Sequence, residues 1–159
     1  MNIFKRKKKV DTVQFWKEKV EYFFSDKFEN KIQYLLASQK NLIQNELSSL
    51  FREHIIAAHI ELLEISIGRN GASNDQRFEI LRIEEETIRK YGNENIVNLV
   101  SEYNKKFGSS MSDGVVPMAK FFTHSIKGKD NDKLERFIYE FFYVVIRDFF
   151  SELKTIKLN

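Results

Sequence analysis

IQYLLASQKNLIQNELSSLFREHIIAAHIELLEI, residues 32–65, carries the longest periodic signal in the chain. Ten positions recur through it at a mean spacing of about 3.7 residues, the repeat of an α-helix, and all but two are apolar: Ile32, Leu36, Gln39, Ile43, Leu47, Leu50, His54, Ala58, Leu62 and Ile65. No glycine or proline interrupts residues 28–67. The stretch predicts one very long helix or two in series. We expect a break near residues 38–41, because a helix of about 40 residues is unusual in a compact domain of this size.

The rest of the chain is also patterned for helices joined by short connections, since it contains one proline and six glycines. Capping patterns predict helices over 12–25 and from Ser73 to Gly92, because Asp11 precedes Gln14 and Ser73 precedes Gln76 by three residues. Asn93 and Gly108 bracket another predicted helix, and Pro117 stands near the start of a shorter one. The fold class predicted is therefore all-α, a compact bundle of five to seven helices.

The last predicted helix has an unusually narrow polar side. Its polar positions are Arg136, Glu140, Tyr143, Arg147 and Ser151, and nearly all others are bulky and apolar. A helix that is apolar on most sides is expected to be surrounded by others. The pattern predicts a C-terminal helix at the centre of the bundle.

The positive charge of the chain is concentrated at its beginning. Residues 5–9 supply five cations, whereas the whole chain has a net charge of only +3, so residues 10–159 carry −2. We expect a basic flexible tail over residues 1–10 and a single helical domain over residues 11–159. Membrane or phosphate contact by the tail would involve Phe4, Lys5, Arg6, Lys7, Lys8 and Lys9. The tail is compatible with three alternatives: an anionic membrane surface, the phosphates of nucleic acid, or no partner at all. Nucleic acid is the least expected of these, because the remaining body is slightly acidic.

Composition excludes several classes of site. The chain contains no cysteine, which excludes disulfide frameworks, thiolate metal ligands and cysteine nucleophiles. The longest uninterrupted apolar run, residues 141–146, is far shorter than the roughly 20 residues of a membrane-spanning helix. We expect a cytoplasmic protein, with the inner face of the membrane as a further location.

The three histidines offer no recognisable metal motif. His54 and His59 are five residues apart, so on one helix their side chains point about 140° away from each other. Neither belongs to a Glu-x-x-His or His-Glu-x-x-His pattern, and buried, hydrogen-bonded histidines are the simplest interpretation. Nucleophile motifs and phosphate-binding glycine loops are also absent. We therefore expect neither catalysis nor a metal or other cofactor.

Aromatic residues are the most unusual part of the composition, with 15 Phe, 6 Tyr and 1 Trp. Phenylalanines at helical spacing most often form a core; alternatively they line a cavity for an apolar small ligand, with candidate positions His54, Phe137, Phe141 and Phe142.

Three hypotheses about the function are compatible with these observations. The leading hypothesis is a small non-enzymatic interaction or regulatory protein, of the inhibitor or immunity type, whose partner is another protein. The alternatives are a ligand-sensing helical domain, globin-like or regulator-like in architecture, and a peripheral protein recruited to a membrane by its tail.

Overall fold

The computed structural model describes residues 7–69, 73–108 and 115–159, with the exception of the side chain of Arg69. These residues contain seven α-helices: α1 Thr12–Phe23, α2 Asp26–Ser38, α3 Ser48–Arg69, α4 Asn74–Tyr91, α5 Glu94–Phe107, α6 Val116–Lys127 and α7 Asp132–Leu153. A 3₁₀ turn at Asn45–Leu47 precedes α3, and two short strands, β1 Lys8–Val10 and β2 Ile156–Leu158, flank the helices. The predicted all-α class and the predicted number of helices are confirmed.

The helix boundaries follow from capping side chains that satisfy otherwise unpaired backbone amides. Asp11 accepts a hydrogen bond from the Gln14 amide at 2.7 Å, and Ser73 and Gln76 form a reciprocal capping box before α4. Asn93 and Asn131 cap α5 and α7 in the same way. The long periodic stretch is broken as expected, because α2 ends at Ser38 and α3 begins at Ser48.

The centre of the bundle is α3, and the prediction that α7 is central was wrong. Between residues 54 and 63 every residue of α3 is buried, and the helix contacts α1, α2, α5, α6 and α7. In α7 the buried side chains are Leu134, Ile138, Phe142 and Leu153. Its other bulky residues are half-buried or exposed, because α7 packs against α3 and α6 from one side only.

The chain ends meet in a small parallel ribbon that the sequence did not predict. Lys8, Lys9 and Val10 pair with Ile156, Lys157 and Leu158 respectively. The hydroxyl of Thr12 donates to the carbonyl of Asn159 at 2.6 Å, which attaches the ribbon to the start of α1. Residues 8–10 are therefore part of the folded structure and not of a flexible tail. Residues 1–6, which include Phe4, Lys5 and Arg6, lie outside the described residues.

Two buried histidines are hydrogen-bonded inside the core, as the simplest interpretation of the sequence had it. The Nδ1 atom of His54 lies 3.0 Å from the hydroxyl of Tyr103, and the Nδ1 atom of His59 lies 2.7 Å from the Ile55 carbonyl. Burial lowers the pKa of each imidazole to about 4, so both rings are neutral at physiological pH. Within the described ranges, none of the helices has the length and apolar character needed to cross a membrane.

Replacing Tyr103 with Phe tests the hydrogen bond to His54. The ring and its contacts with Phe107 and Phe121 are retained, but a buried imidazole loses its partner. We expect the free energy of unfolding, measured by urea denaturation at pH 7, to fall by about 1–3 kcal/mol. Tyr34→Phe is the matched control, because Tyr34 is 75% exposed, and it should change stability by less than about 0.5 kcal/mol. Equal stabilities of the two variants would contradict the assignment.

Candidate functional site

Two glutamates point into the protein from its most buried helix. Glu61 and Glu64 are three residues apart on α3 and therefore lie on the same face. Glu61 is fully buried, which is rare for a glutamate. A third glutamate, Glu84 of α4, is 4% exposed and belongs to the same cluster. Three carboxyl groups from two helices thus share one buried region.

The cluster has few hydrogen-bond donors. The side-chain amide of Asn104, on α5, donates to Glu64 Oε2 at 2.8 Å and to Glu61 Oε2 at 3.4 Å. Glu64 also lies within hydrogen-bonding reach of both Glu61 and Glu84. An ionised carboxylate has no proton to donate, so a hydrogen bond between two carboxyl groups requires that one of them be protonated. Glu61 Oε1, Glu64 Oε1 and Glu84 Oε2 are buried with no partner other than these carboxyl contacts.

Burial and mutual repulsion keep these carboxyl groups protonated. Burial, with a further contribution from the charge of Glu64, raises the pKa of Glu61 to about 9. Burial likewise raises the pKa of Glu84 to about 8, and that of Glu64 well above its usual range. The hydrogen bond from Asn104 acts in the opposite direction on Glu61 and Glu64 without cancelling the effect. At pH 7 the cluster therefore holds protons that exposed glutamates would have lost.

A cavity of about 570 Å³ opens beside Glu61 and Glu64. It lies between α1, α3, α4 and α5, and its wall is formed by Trp16, Glu61, Glu64, Ile65, Ile67, Gly68, Arg77, Ile80, Leu81, Asn104 and Gly108. The volume falls within the range of small-molecule sites, which are mostly apolar with a few polar groups.

Trp16 supplies an unpaired polar group in the same wall. Its side chain is fully buried, and its indole N–H has no hydrogen-bond acceptor. Buried indole N–H groups usually find an acceptor, because an unsatisfied donor costs about 1–3 kcal/mol. An unused donor and unused carboxyl oxygens thus lie just behind the surface of the cavity wall.

Arg77 provides a positive charge in the wall of the cavity. Its guanidinium donates to the carbonyl of Gly68 at 3.4 Å, and its side chain is exposed. The polar part of the wall thus has carboxyl groups from α3 and a guanidinium from α4, while Ile65, Ile67 and Leu81 provide apolar surface.

The sequence-predicted cavity residues lie elsewhere. His54 packs against Tyr103 and Phe122, Phe142 also contacts Phe122, and Phe141 contacts His59. Phe137 is half-buried against the core. None of the four is part of the cavity wall beside Glu61. Of the predicted basic contacts, Lys7, Lys8 and Lys9 are exposed at or next to β1.

The sequence contains a signal for the buried glutamates, although no motif includes them. Residues 55–67 form a run without glycine or proline in which apolar residues occupy every side of the helix. A helix of this kind is expected to be buried all round. Any ionisable residue within it is then buried as well, and buried ionisable groups cluster at functional sites.

Comparison with protein-family models, with curated proteins and with solved structures finds no match for this chain. Within residues 7–69, 73–108 and 115–159, no group of three or more histidine, aspartate and glutamate side chains is arranged to hold a metal ion.

The protonated cluster predicts that stability falls as the pH rises from 6.5 to 8. In this window the unfolded glutamates, with a pKa near 4.5, are ionised, whereas folded Glu61 and Glu84 retain their protons. For each proton that the folded protein retains and the unfolded chain has lost, the free energy of unfolding falls by about 2 kcal/mol as the pH rises through these 1.5 units. The two buried histidines act in the opposite direction at the lower end of this window, because an unfolded imidazole with a pKa of 6.5 is half-protonated at pH 6.5 while the folded one is neutral. Together they raise the free energy of unfolding by less than about 1 kcal/mol, which is smaller than the effect of the glutamates.

Urea denaturation at pH 6.5, 7.2 and 8 measures this slope. Glu61→Gln removes one titrating group while conserving its shape, so its stability should depend less steeply on pH and exceed that of the parent at pH 8. Glu102→Gln, at an exposed position on α5, is the matched control and should leave the slope unchanged. A parent protein whose stability is independent of pH in this window would show that the cluster is ionised.

Proposed function

We propose that this protein is a non-enzymatic ligand-binding helical domain whose site is the cavity between α1, α3, α4 and α5. The observation that carries the proposal is a cavity of about 570 Å³ beside polar groups that the fold leaves poorly satisfied. The indole N–H of Trp16 has no acceptor, and Glu61 and Glu64 share one amide donor and otherwise contact carboxyl groups. A domain of this size folds with an apolar core alone. Ionisable groups whose pKa values are strongly shifted by burial cluster at functional sites.

The location of the cavity supports the proposal. Its walls come from four helices, so a bound molecule would contact the elements that build the bundle. A ligand that binds only the folded state stabilises it in proportion to its concentration and affinity. Such a site is suited to sensing, because occupancy changes the stability and packing of several helices together.

This proposal keeps the ligand-sensing alternative drawn from the sequence but moves its site. The sequence suggested a phenylalanine-lined cavity around His54 and Phe142, whereas the cavity beside Glu61 is lined by aliphatic and polar side chains. The hypothesis of an inhibitor-type or immunity-type interaction protein stays a prediction.

The single tryptophan makes binding directly measurable, because Trp16 is part of the cavity wall. We expect its fluorescence to change saturably on titration with at least one of three six-carbon probes: 6-aminohexanol, hexane-1,6-diol and 6-hydroxyhexanoate. The binding probe should also raise the melting temperature. The proposal would be contradicted by a result in which none of the probes changes the fluorescence or the melting temperature of the protein.

Gly68→Leu is the variant that blocks the cavity. A Cβ atom at Gly68 would meet only the flexible end of Arg77, 2.9 Å from Nη2, so a larger side chain can enter the cavity once Arg77 moves. Because leucine favours a helix over glycine by about 1 kcal/mol, we expect the variant to fold. It should lose the fluorescence response. Ser49→Leu, exposed about 28 Å away along the same helix, makes a comparable change and should bind like the parent.

Binding to an anionic membrane surface is a second candidate function, favoured by the ribbon of the chain ends. Pairing of β1 with β2 places Lys9 opposite Lys157, and Lys8 and Lys154 are exposed close by. The basic residues Lys7, Lys8 and Lys9 are therefore joined by two lysines from the other end of the chain. Clustered cations adjacent to an anionic surface contribute about 1 kcal/mol each to binding.

Vesicle sedimentation tests this second function. With vesicles of phosphatidylserine and phosphatidylcholine at low salt, the double variant Lys154→Gln, Lys157→Gln should lower the partition coefficient about 30-fold, because two cations are lost. The control Lys129→Gln, Lys133→Gln removes the same charge from exposed positions near the opposite end of α7, about 30 Å away. Equal losses in the two variants would point to net charge, and no binding of the parent would end the hypothesis.

A further inference from the structure

The outer face of α7 is exposed along the middle of the helix. The inner face packs against α3 and α6, so the outer face is turned to solvent. Tyr143 is 53% exposed, and the centroid of its ring lies 6.4 Å from that of Tyr139. Tyrosine and arginine are enriched at protein interfaces, and this face carries both. Its exposed residues are Arg136, Tyr139, Glu140, Tyr143, Val144, Arg147, Asp148 and Ser151.

The charges of this face are self-complementary. Glu140 and Arg147 lie at equal distances on either side of the point between positions 143 and 144. A two-fold axis through that point would pack two copies of α7 antiparallel and bring equally spaced positions together, so each Glu140 would face Arg147 of the other copy. Both residues already belong to exposed pairs within their own helix, Glu140 with Arg136 and Arg147 with Asp148. The two-fold contact would therefore join these pairs into networks of four charges.

The uncharged positions agree with the same axis. Tyr143 would pack against Val144 of the second copy, which covers the apolar middle of the face. The hydroxyl group of Tyr139 would meet the carboxylate of Asp148, to which it can donate a hydrogen bond. A parallel pair of helices would instead place each residue beside its own copy, Arg147 beside Arg147, and would oppose like charges.

We propose that this face of α7 binds a second copy of the same chain in an antiparallel, two-fold dimer. From Arg136 to Ser151 the face is about 22 Å long, which gives a small interface and a reversible dimer with a dissociation constant of roughly 10–100 µM. At its ends Lys133 approaches Lys154 of the second copy, and this repulsion between exposed like charges limits the affinity. The dimer goes beyond the proposed ligand binding and is independent of it, because the cavity lies between α1, α3, α4 and α5.

Charge reversal tests the pairing. Glu140→Arg places arginine opposite arginine, and Arg147→Glu places glutamate opposite glutamate, so each variant alone should dimerise at least tenfold more weakly than the parent in sedimentation equilibrium. An equimolar mixture of these two variants should form a heterodimer, because every contact then joins opposite charges. The double variant Glu140→Arg, Arg147→Glu should form a homodimer again for the same reason.

Two control variants separate the interface from general effects. Glu102→Arg reverses an exposed charge on α5 and should dimerise like the parent. Gly68→Leu changes the cavity and should also dimerise like the parent, so loss of ligand binding and loss of the dimer are distinguishable. Far-UV circular dichroism of all variants should match the parent, because the reversed charges are at exposed positions.

Three results would overturn the proposal. A parent protein that stays monomeric up to about 1 mM would show that a second copy does not bind this face. A dimer that persists in both single variants would place the interface elsewhere on the protein. A double variant that stays monomeric, together with single variants that do not combine, would exclude the pairing of Glu140 with Arg147.

Discussion

Enclosure of α3 by the other helices is the constraint on which the rest of the structure depends. Because this helix contacts neighbours on several sides, each polar side chain in its middle must find a partner inside the protein. His54 reaches a tyrosine hydroxyl, while His59 and Ser66 use carbonyl groups of the preceding turn. Glu61 has one weak amide contact and other carboxyl groups. The same burial that stabilises the bundle through its apolar residues thus creates an unsatisfied acidic cluster.

The energetic consequence is a division of α3 into a stabilising part and a costly part. The section around Ile55 and Ile56 is packed by aromatic and aliphatic side chains, whose burial stabilises the fold. One to two turns further on, Glu61 and Glu64 require either protonation or a counter-charge. The cavity lies beside this costly part.

The chain ends and the cavity are connected through one helix start. Thr12 donates to Asn159 and accepts a hydrogen bond from Gln76, which belongs to the capping box of α4. The next residue, Arg77, is part of the cavity wall. The ribbon carrying the exposed lysines is therefore linked by hydrogen bonds to the helix that borders the cavity.

The sequence by itself determined the helices, because hydrophobic period, capping residues and the scarcity of glycine and proline are local properties: Asp11, Ser73 and Asn93 cap helices as predicted. The sequence also predicted that His54 and His59 are buried and hydrogen-bonded. Which helix is central was decided by tertiary packing, since α7 has enough apolar residues to be surrounded but is covered on one side only. The site likewise depended on the tertiary structure. Trp16, Glu61, Glu84 and Asn104 come from four helices, and their proximity depends on how the helices pack against each other, which no local pattern encodes.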